Sequence, residues 1–201
     1  MRQSGWRGLS RMVALVFVLL LAGCAATLPR PDADRVSGDQ LETFSLEGRF
    51  SLRQEERNHS GRLSWKHSGE GDELLLASPF GQGIAEIVVN ADMATLTTND
   101  GKVYSASDAP TLTEQILGYR LPLTLLADWV RGRNAGAEVV ERDAHGRALR
   151  LRHEDWRIEY GYDGDDPLAP PGRLFAERAG VFELRLRIDE WINASPKEPA
   201  P

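Results

Sequence analysis

The sequence predicts a mainly β domain: an antiparallel sheet, strongly curved or closed, with two short helices over one mouth. Three observations carry this. Segments in which apolar and polar residues alternate with strict period two recur along the chain. Turn signals of hairpin length separate them. One interruption near the middle carries helix start and stop signals instead.

The N-terminus comes first. Arg2, Arg7 and Arg11 precede the apolar run Met12–Ala22, the pattern of a secretory signal. A membrane-spanning helix needs about 20 apolar residues, and this run is shorter. It ends in Leu21-Ala22-Gly23-Cys24, which resembles a bacterial lipobox. Cys24 is the only cysteine among 201 residues, so no disulfide can form within the chain and acylation is the simplest use of the thiol. Ala25 follows where an aspartate would favour inner-membrane retention, so by analogy the anchor points to the outer membrane, at its periplasmic face. Up to Gln40, the prolines Pro29 and Pro31 and the aspartates Asp32, Asp34 and Asp39 break any periodicity and read as a tether.

The strands follow. Phe44, Leu46, Gly48, Phe50 and Leu52 alternate with Ser45, Glu47, Arg49, Ser51 and Arg53. Leu63 and Trp65 lie in a second such segment, Trp156 to Tyr162 in a third, and Phe182 to Ile188 in a fourth. Weaker strands are expected around 73–77, 84–90, 94–98, 102–104, 137–141, 149–153 and 173–177. Asn99-Asp100-Gly101 is a strong hairpin signal, and Ala144-His145-Gly146 is similar. In all, roughly ten strands are expected.

Two helices interrupt them. Thr111-Leu112-Thr113-Glu114 matches a capping box, with Thr111 as N-cap and Gly118 as the stop. Pro122 opens and Gly132 closes a second helix, with Leu123, Leu126, Trp129 and Val130 on one face. The tail from Ser195 is a poor candidate for order. The chain thus divides into a lipoprotein-type signal peptide (1–23), a lipidated tether (24–40), a barrel domain (41–193) and a disordered tail (194–201).

Chemistry is hard to find. The formal net charge is -6 and Lys and Arg are interleaved with acids, which excludes an obvious nucleic-acid surface. The four histidines, His59, His67, His145 and His153, have no metal-ligand spacing, and His67 and His153 read as interior residues. No nucleophile elbow or glycine-rich phosphate loop is present, so no cofactor, metal or enzyme activity is expected. One turn stands apart. Ser78-Pro79-Phe80-Gly81-Gln82-Gly83 places a phenylalanine at a tip where a polar residue is usual. Phe80 either folds back on the core or is presented to something apolar.

Leu46-Glu47-Gly48-Arg49-Phe50-Ser51, Gly61-x-Leu63-x-Trp65, Leu75-Leu76-x-Ser78-Pro79-Phe80-Gly81 and Pro122-Leu123-x-x-Leu126-x-x-Trp129-Val130-x-Gly132, behind a lipobox, resemble the LolB family. The resemblance covers about Leu46 to Ile192. It implies a half-open antiparallel barrel with a helical lid and an apolar cavity for acyl chains. It also implies an outer-membrane lipoprotein, working as a monomer, that accepts lipoproteins from a LolA-like periplasmic carrier and inserts them into the inner leaflet of the outer membrane. Pro79, Phe80 and Gly81 would form the insertion loop, with Phe80 where the family carries leucine. Phe50, Leu52, Trp65, Leu74, Leu76, Ile87, Val89, Ile158, Tyr160, Leu184 and Leu186 are the candidates to line the cavity. Each could equally be plain core packing. Ile116, Leu123, Leu126 and Trp129 would form the lid. A lipid-binding or a structural envelope lipoprotein without transfer activity remains the alternative.

Overall fold

In a computed structural model of the chain, residues 38–196 are described. The signal peptide, Cys24, nearly all of the tether and residues 197–201 lie outside the described residues. A single 3-10 turn at Gly38–Gln40 leads into β1 (Leu41–Gln54), β2 (Arg57–Ser68), β3 (Gly71–Ala77), β4 (Gly83–Val89), β5 (Ala94–Thr98) and β6 (Val103–Ala106). Helices α1 (Ala109–Leu117) and α2 (Leu123–Val130) follow. Then come β7 (Glu138–Arg142), β8 (Ala148–His153), β9 (Trp156–Gly161), β10 (Arg173–Arg178) and β11 (Phe182–Pro196).

All eleven strands form one antiparallel sheet in the order β6-β5-β4-β3-β2-β1-β11-β10-β9-β8-β7. It is two meanders of hairpins joined where the first strand meets the last, with Phe50 opposite Leu186 and Leu52 opposite Leu184. The edge strands β6 and β7 do not pair with each other, so the sheet stays open, a half-barrel. The two helices connect those edges in sequence.

Alternation sets the layers. Phe44, Leu46, Leu63, Trp65, Leu74, Leu96, Ile158, Leu174, Leu184 and Ile188 turn to one face and are buried. Leu112, Leu123, Leu126, Trp129 and Val130 of the helices pack into the same core. Gly61 allows a close approach on this face. A Cβ there would lie 2.1 Å from the carbonyl oxygen of Ala77 and 3.1 Å from the Phe50 ring.

Two details depart from the sequence reading. Helix α1 begins earlier than the Thr111 capping box implies. Asp108 is the N-cap, accepting from the Thr111 amide at 2.7 Å, and Glu114 instead pairs with Arg120 at 2.8 Å. Aspartate is a strong N-cap and Pro110 fits the first turn, so the earlier start wins. At the other terminus, β11 continues to Pro196, into the stretch assigned to the tail, because β1 offers its first residues as partners (Leu41 opposite Pro196).

Candidate functional site

Three hairpins share one construction. In Ser78–Gln82, the Ser78 amide donates to the Gln82 carbonyl at 2.7 Å and the Gly81 amide to the Ser78 carbonyl at 2.9 Å. Thr98–Lys102 and Asp143–Arg147 repeat both bonds. Each has a glycine at its fourth position in the left-handed region, with φ of 86° at Gly81, 80° at Gly101 and 82° at Gly146. This is the three-residue hairpin loop that closes with a left-handed residue. The third position is Phe80 in the first, Asp100 in the second and His145 in the third. Turn chemistry asks for nothing apolar there. Phe80 is 95% exposed, and Pro79 and Gly81 beside it are exposed too.

The inner face is not uniform. Trp65 is 0% exposed, and Leu74, Ile158, Tyr160, Leu184 and Leu186 are also buried in the core. Phe50, Leu52, Leu76, Ile87 and Val89 are only half-buried. Phe50 and Leu52 on β1, Leu76 on β3 and the likewise half-buried Ala85 on β4 lie toward the ends of their strands that carry the Glu55-Glu56 turn and the Phe80 hairpin. The helices thus leave an apolar strip half-covered at the end from which Phe80 projects. A depression of about 850 Å³ opens on the sheet, beside the strip at Phe50. Arg49, Arg157, Arg173, Arg185 and Arg187, of outer parity, ring it, and Phe175, Phe50, Tyr160 and Leu186 also line it.

The lid residues are positioned by two kinds of contact. Toward β9–β11, aromatic rings close the gap. Tyr119, between the helices, stacks on Phe182 at 5.7 Å, Phe182 meets Trp156 edge-on at 5.9 Å, and Trp156 meets Trp129 at 5.7 Å. Arg178 donates to the Tyr119 hydroxyl at 2.8 Å. Toward β1, α1 has a polar latch, Gln54 Nε2 donating to the Leu117 carbonyl at 2.7 Å. Leu123, Leu126 and Trp129 are buried under the lid, while Ile116 is half-buried.

The end of α2 is bolted down. Arg131, 4% exposed, donates from Nε to the Ala127 carbonyl at 2.9 Å and from its terminal nitrogens to the Leu41 carbonyl at 2.6 Å and Asp128 at 2.6 Å. Burial pushes the Arg131 pKa down, and the guanidinium also lies over the Phe44 ring at 5.6 Å. Next to it Asp72 accepts from the Trp65 indole at 2.8 Å and sits 2.7 Å from His67 Nδ1. His153 instead meets the Trp129 ring edge-on at 5.9 Å. Two buried polar atoms, Trp129 Nε1 and Tyr160 OH, have no hydrogen-bond partner among the described residues. Sequence reasoning missed Arg131, Gln54 and Tyr119, because their partners are distant along the chain.

A family model described as "Outer membrane lipoprotein LolB" matches residues 42–191. An outer-membrane lipoprotein LolB of Dechloromonas aromatica (strain RCB) is 41% identical over 186 residues, 90% of this chain and 96% of that protein. One from Thiobacillus denitrificans is 36% identical over 176 residues, 87% of this chain and 92% of that protein. Among solved structures, a LolA superfamily protein from Nitrosomonas europaea is similar with a TM-score of 0.48 at 11% identity, covering 83% of this chain and 91% of that one.

Proposed function

The chain belongs to the LolB family of outer-membrane lipoproteins, and from that membership we propose that it receives lipoproteins from a LolA-like periplasmic carrier and inserts them into the inner leaflet of the outer membrane. The observation that carries this reading is the half-covered apolar strip at the end of the sheet from which Phe80 projects. Acyl chains are costly to expose, at about 0.8 kcal/mol per methylene. A strip of Phe50, Leu52, Leu76 and Ala85 offers them apolar contact, and displacement of α1 would extend it inward over Ile87 and Leu74 toward Trp65. In this reading Val89, Ile158, Tyr160, Leu184 and Leu186 are the deeper wall, and Ile116, Leu123, Leu126 and Trp129 move with the lid.

No step needs an enzyme or a cofactor, and the acceptor works as a monomer. Transfer runs downhill: the strip holds acyl chains more tightly than the carrier does, and the bilayer holds them more tightly still. Pro79 and Gly81 hold Phe80 away from the domain, where its ring enters the lipid interface during release. Cys24, acylated after removal of residues 1–23, anchors the tether that ends near Gln40.

The test places the full lipidated chain in vesicles and adds a lipidated cargo on its carrier. Cargo is expected to leave the carrier, reach the chain and then the vesicle. With Phe80→Glu the first transfer should persist and the second slow by on the order of tenfold or more, the loss of one buried aromatic side chain. Cargo that stays on the carrier with the unaltered chain would refute the reading. The dense packing around Phe44 and Trp65 favours the alternative of a structural lipoprotein. Ala85→Trp discriminates, because it narrows the strip and weakens binding of a fluorescent fatty-acyl probe only if the strip is a site.

A further inference from the structure

The outer face of the sheet is divided in two. On β1 and β8–β11 it is charged, and its charges are paired: Arg49 with Asp189 at 2.7 Å, Arg157 with Glu177 at 2.6 Å and Arg187 with Asp163 at 2.7 Å. On β3–β6 the same parity reads Leu75, Ile84, Val88 and Val103, with Thr95, Thr97, Ser105 and two carboxylates, Glu86 and Glu73, the latter paired with Lys66 of β2. Register makes this one surface. Leu75 lies opposite Glu86, Glu86 opposite Thr97, and Thr97 opposite Val103. Val88 lies opposite Thr95, and Ile84 is the second residue of β4, just after the Phe80 hairpin. Val103 is 62% exposed, and Leu75, Ile84 and Val88 are exposed as well. Contiguous exposed aliphatics of this kind mark an interaction surface.

We propose that the outer face of β3–β6 is a lipid-contacting footprint continuous with Phe80, on which the domain lies against the headgroup–acyl boundary of the membrane. The proposal rests on the reading of Phe80 as a membrane-facing tip and extends it from a point to a face. Two features choose lipid over a protein partner. The patch runs into the hairpin that presents Phe80, on a chain whose family resides at the outer membrane. Its aliphatic side chains are interspersed with hydroxyls and carboxylates, which suits a headgroup–acyl boundary better than a packed apolar interface.

The experiment uses the full lipidated chain in vesicles of phosphatidylethanolamine and phosphatidylglycerol. An environment-sensitive dye is attached through Phe80→Cys, Ile84→Cys, Val103→Cys or, on the charged half, Arg185→Cys, one at a time. Doxyl-labelled phospholipid is the quencher. Dyes at 80, 84 and 103 are expected to be quenched and the dye at 185 not. Quenching at 80 alone would overturn the footprint while leaving the tip intact. Quenching at 84 and 103 without 80 would overturn the proposal as stated, because the face would then meet lipid without the Phe80 tip. Shielding of 84 and 103 that appears only on adding the carrier, or only at high protein density, would assign the face to a protein and overturn the proposal. Leu75→Ser with Val103→Ser, both outward-facing, should lower the quenched-to-free ratio at 84 roughly tenfold at an unchanged melting temperature. An unchanged ratio would count against the proposal.

Discussion

Tyr160 and Trp129 carry polar atoms into the core where none of the described residues meets them. An unpaired buried polar group costs about 1–3 kcal/mol. Burial also raises the Tyr160 pKa, so the phenol stays a neutral donor across the physiological range. A core selected for stability alone would replace it with phenylalanine. Tyr160→Phe is therefore expected to raise the melting temperature of the cargo-free protein, by about 1 kcal/mol of stability. If the hydroxyl serves an ester or amide carbonyl of the acylated cargo cysteine, the same variant should hold a diacylated peptide less tightly. A lower melting temperature would mean the hydroxyl has a partner in the free protein and would sink this argument. Phe80 makes the same kind of case on the surface: a residue that its local structure does not need, whose position was legible because an apolar side chain interrupts polar turn chemistry. The Tyr160 and Trp129 orphans were not legible, since satisfaction depends on neighbours that sequence does not give.

The lid pair of helices shows what each level of sequence can say. Helix α1 is held at its start by Asp108, whose pKa is lowered by hydrogen bonding from Thr111, side chain before backbone. A depressed carboxylate pKa adds stability above the ordinary aspartate value, and this is lost as pH falls through the folded value. Acidification into that range should fray α1, and Asp108→Asn, which caps without titrating, should abolish this pH dependence in the α1 amide shifts. Equal fraying in both proteins would show that the cap is not the sensitive group. At the far end of α2, Arg131→Met would strip the Ala127 carbonyl of its side-chain donor and leave the Leu41 carbonyl and Asp128 to Arg133 alone, at an expected cost of about 1–3 kcal/mol in unfolding experiments. Existence and type of both helices were readable from apolar spacing and glycine stops. The true cap was obscured because Thr111 and Glu114 imitate a capping box. Arg131 was unreadable because its main acceptor, Leu41, lies 90 residues earlier.

The whole sheet depends on a seam between the two ends of the chain. Hairpins within each meander close locally, whereas β1 and β11 are separated in the chain by the helices and all the other strands. Alternation gave the strands and their faces, whereas this pairing of distant segments is invisible to periodicity, and the family resemblance implied only a half-open antiparallel barrel. Such non-local pairing forms late, with a large loop-closure cost. Once formed, the seam is the centre of the sheet, backed by Phe44, Leu46, Leu186 and Ile188. The helices lack that continuity. Toward β1, α1 has a single polar latch from Gln54, and α2 is fixed mainly through Arg131. Stability should therefore be graded, with the lid opening at lower free energy than the sheet. Amide exchange measures this directly. Seam amides of β1 and β11 should exchange only through global unfolding, and α1 amides faster by at least about tenfold, which corresponds to roughly 1.4 kcal/mol. Gln54→Ala should speed exchange in α1 and leave the seam unchanged. A bound acyl peptide should alter α1 protection before it alters the seam. If α1 exchanged as slowly as β1, the lid could move only when the protein unfolded, and a cavity that opens beneath it would be physically inaccessible to cargo.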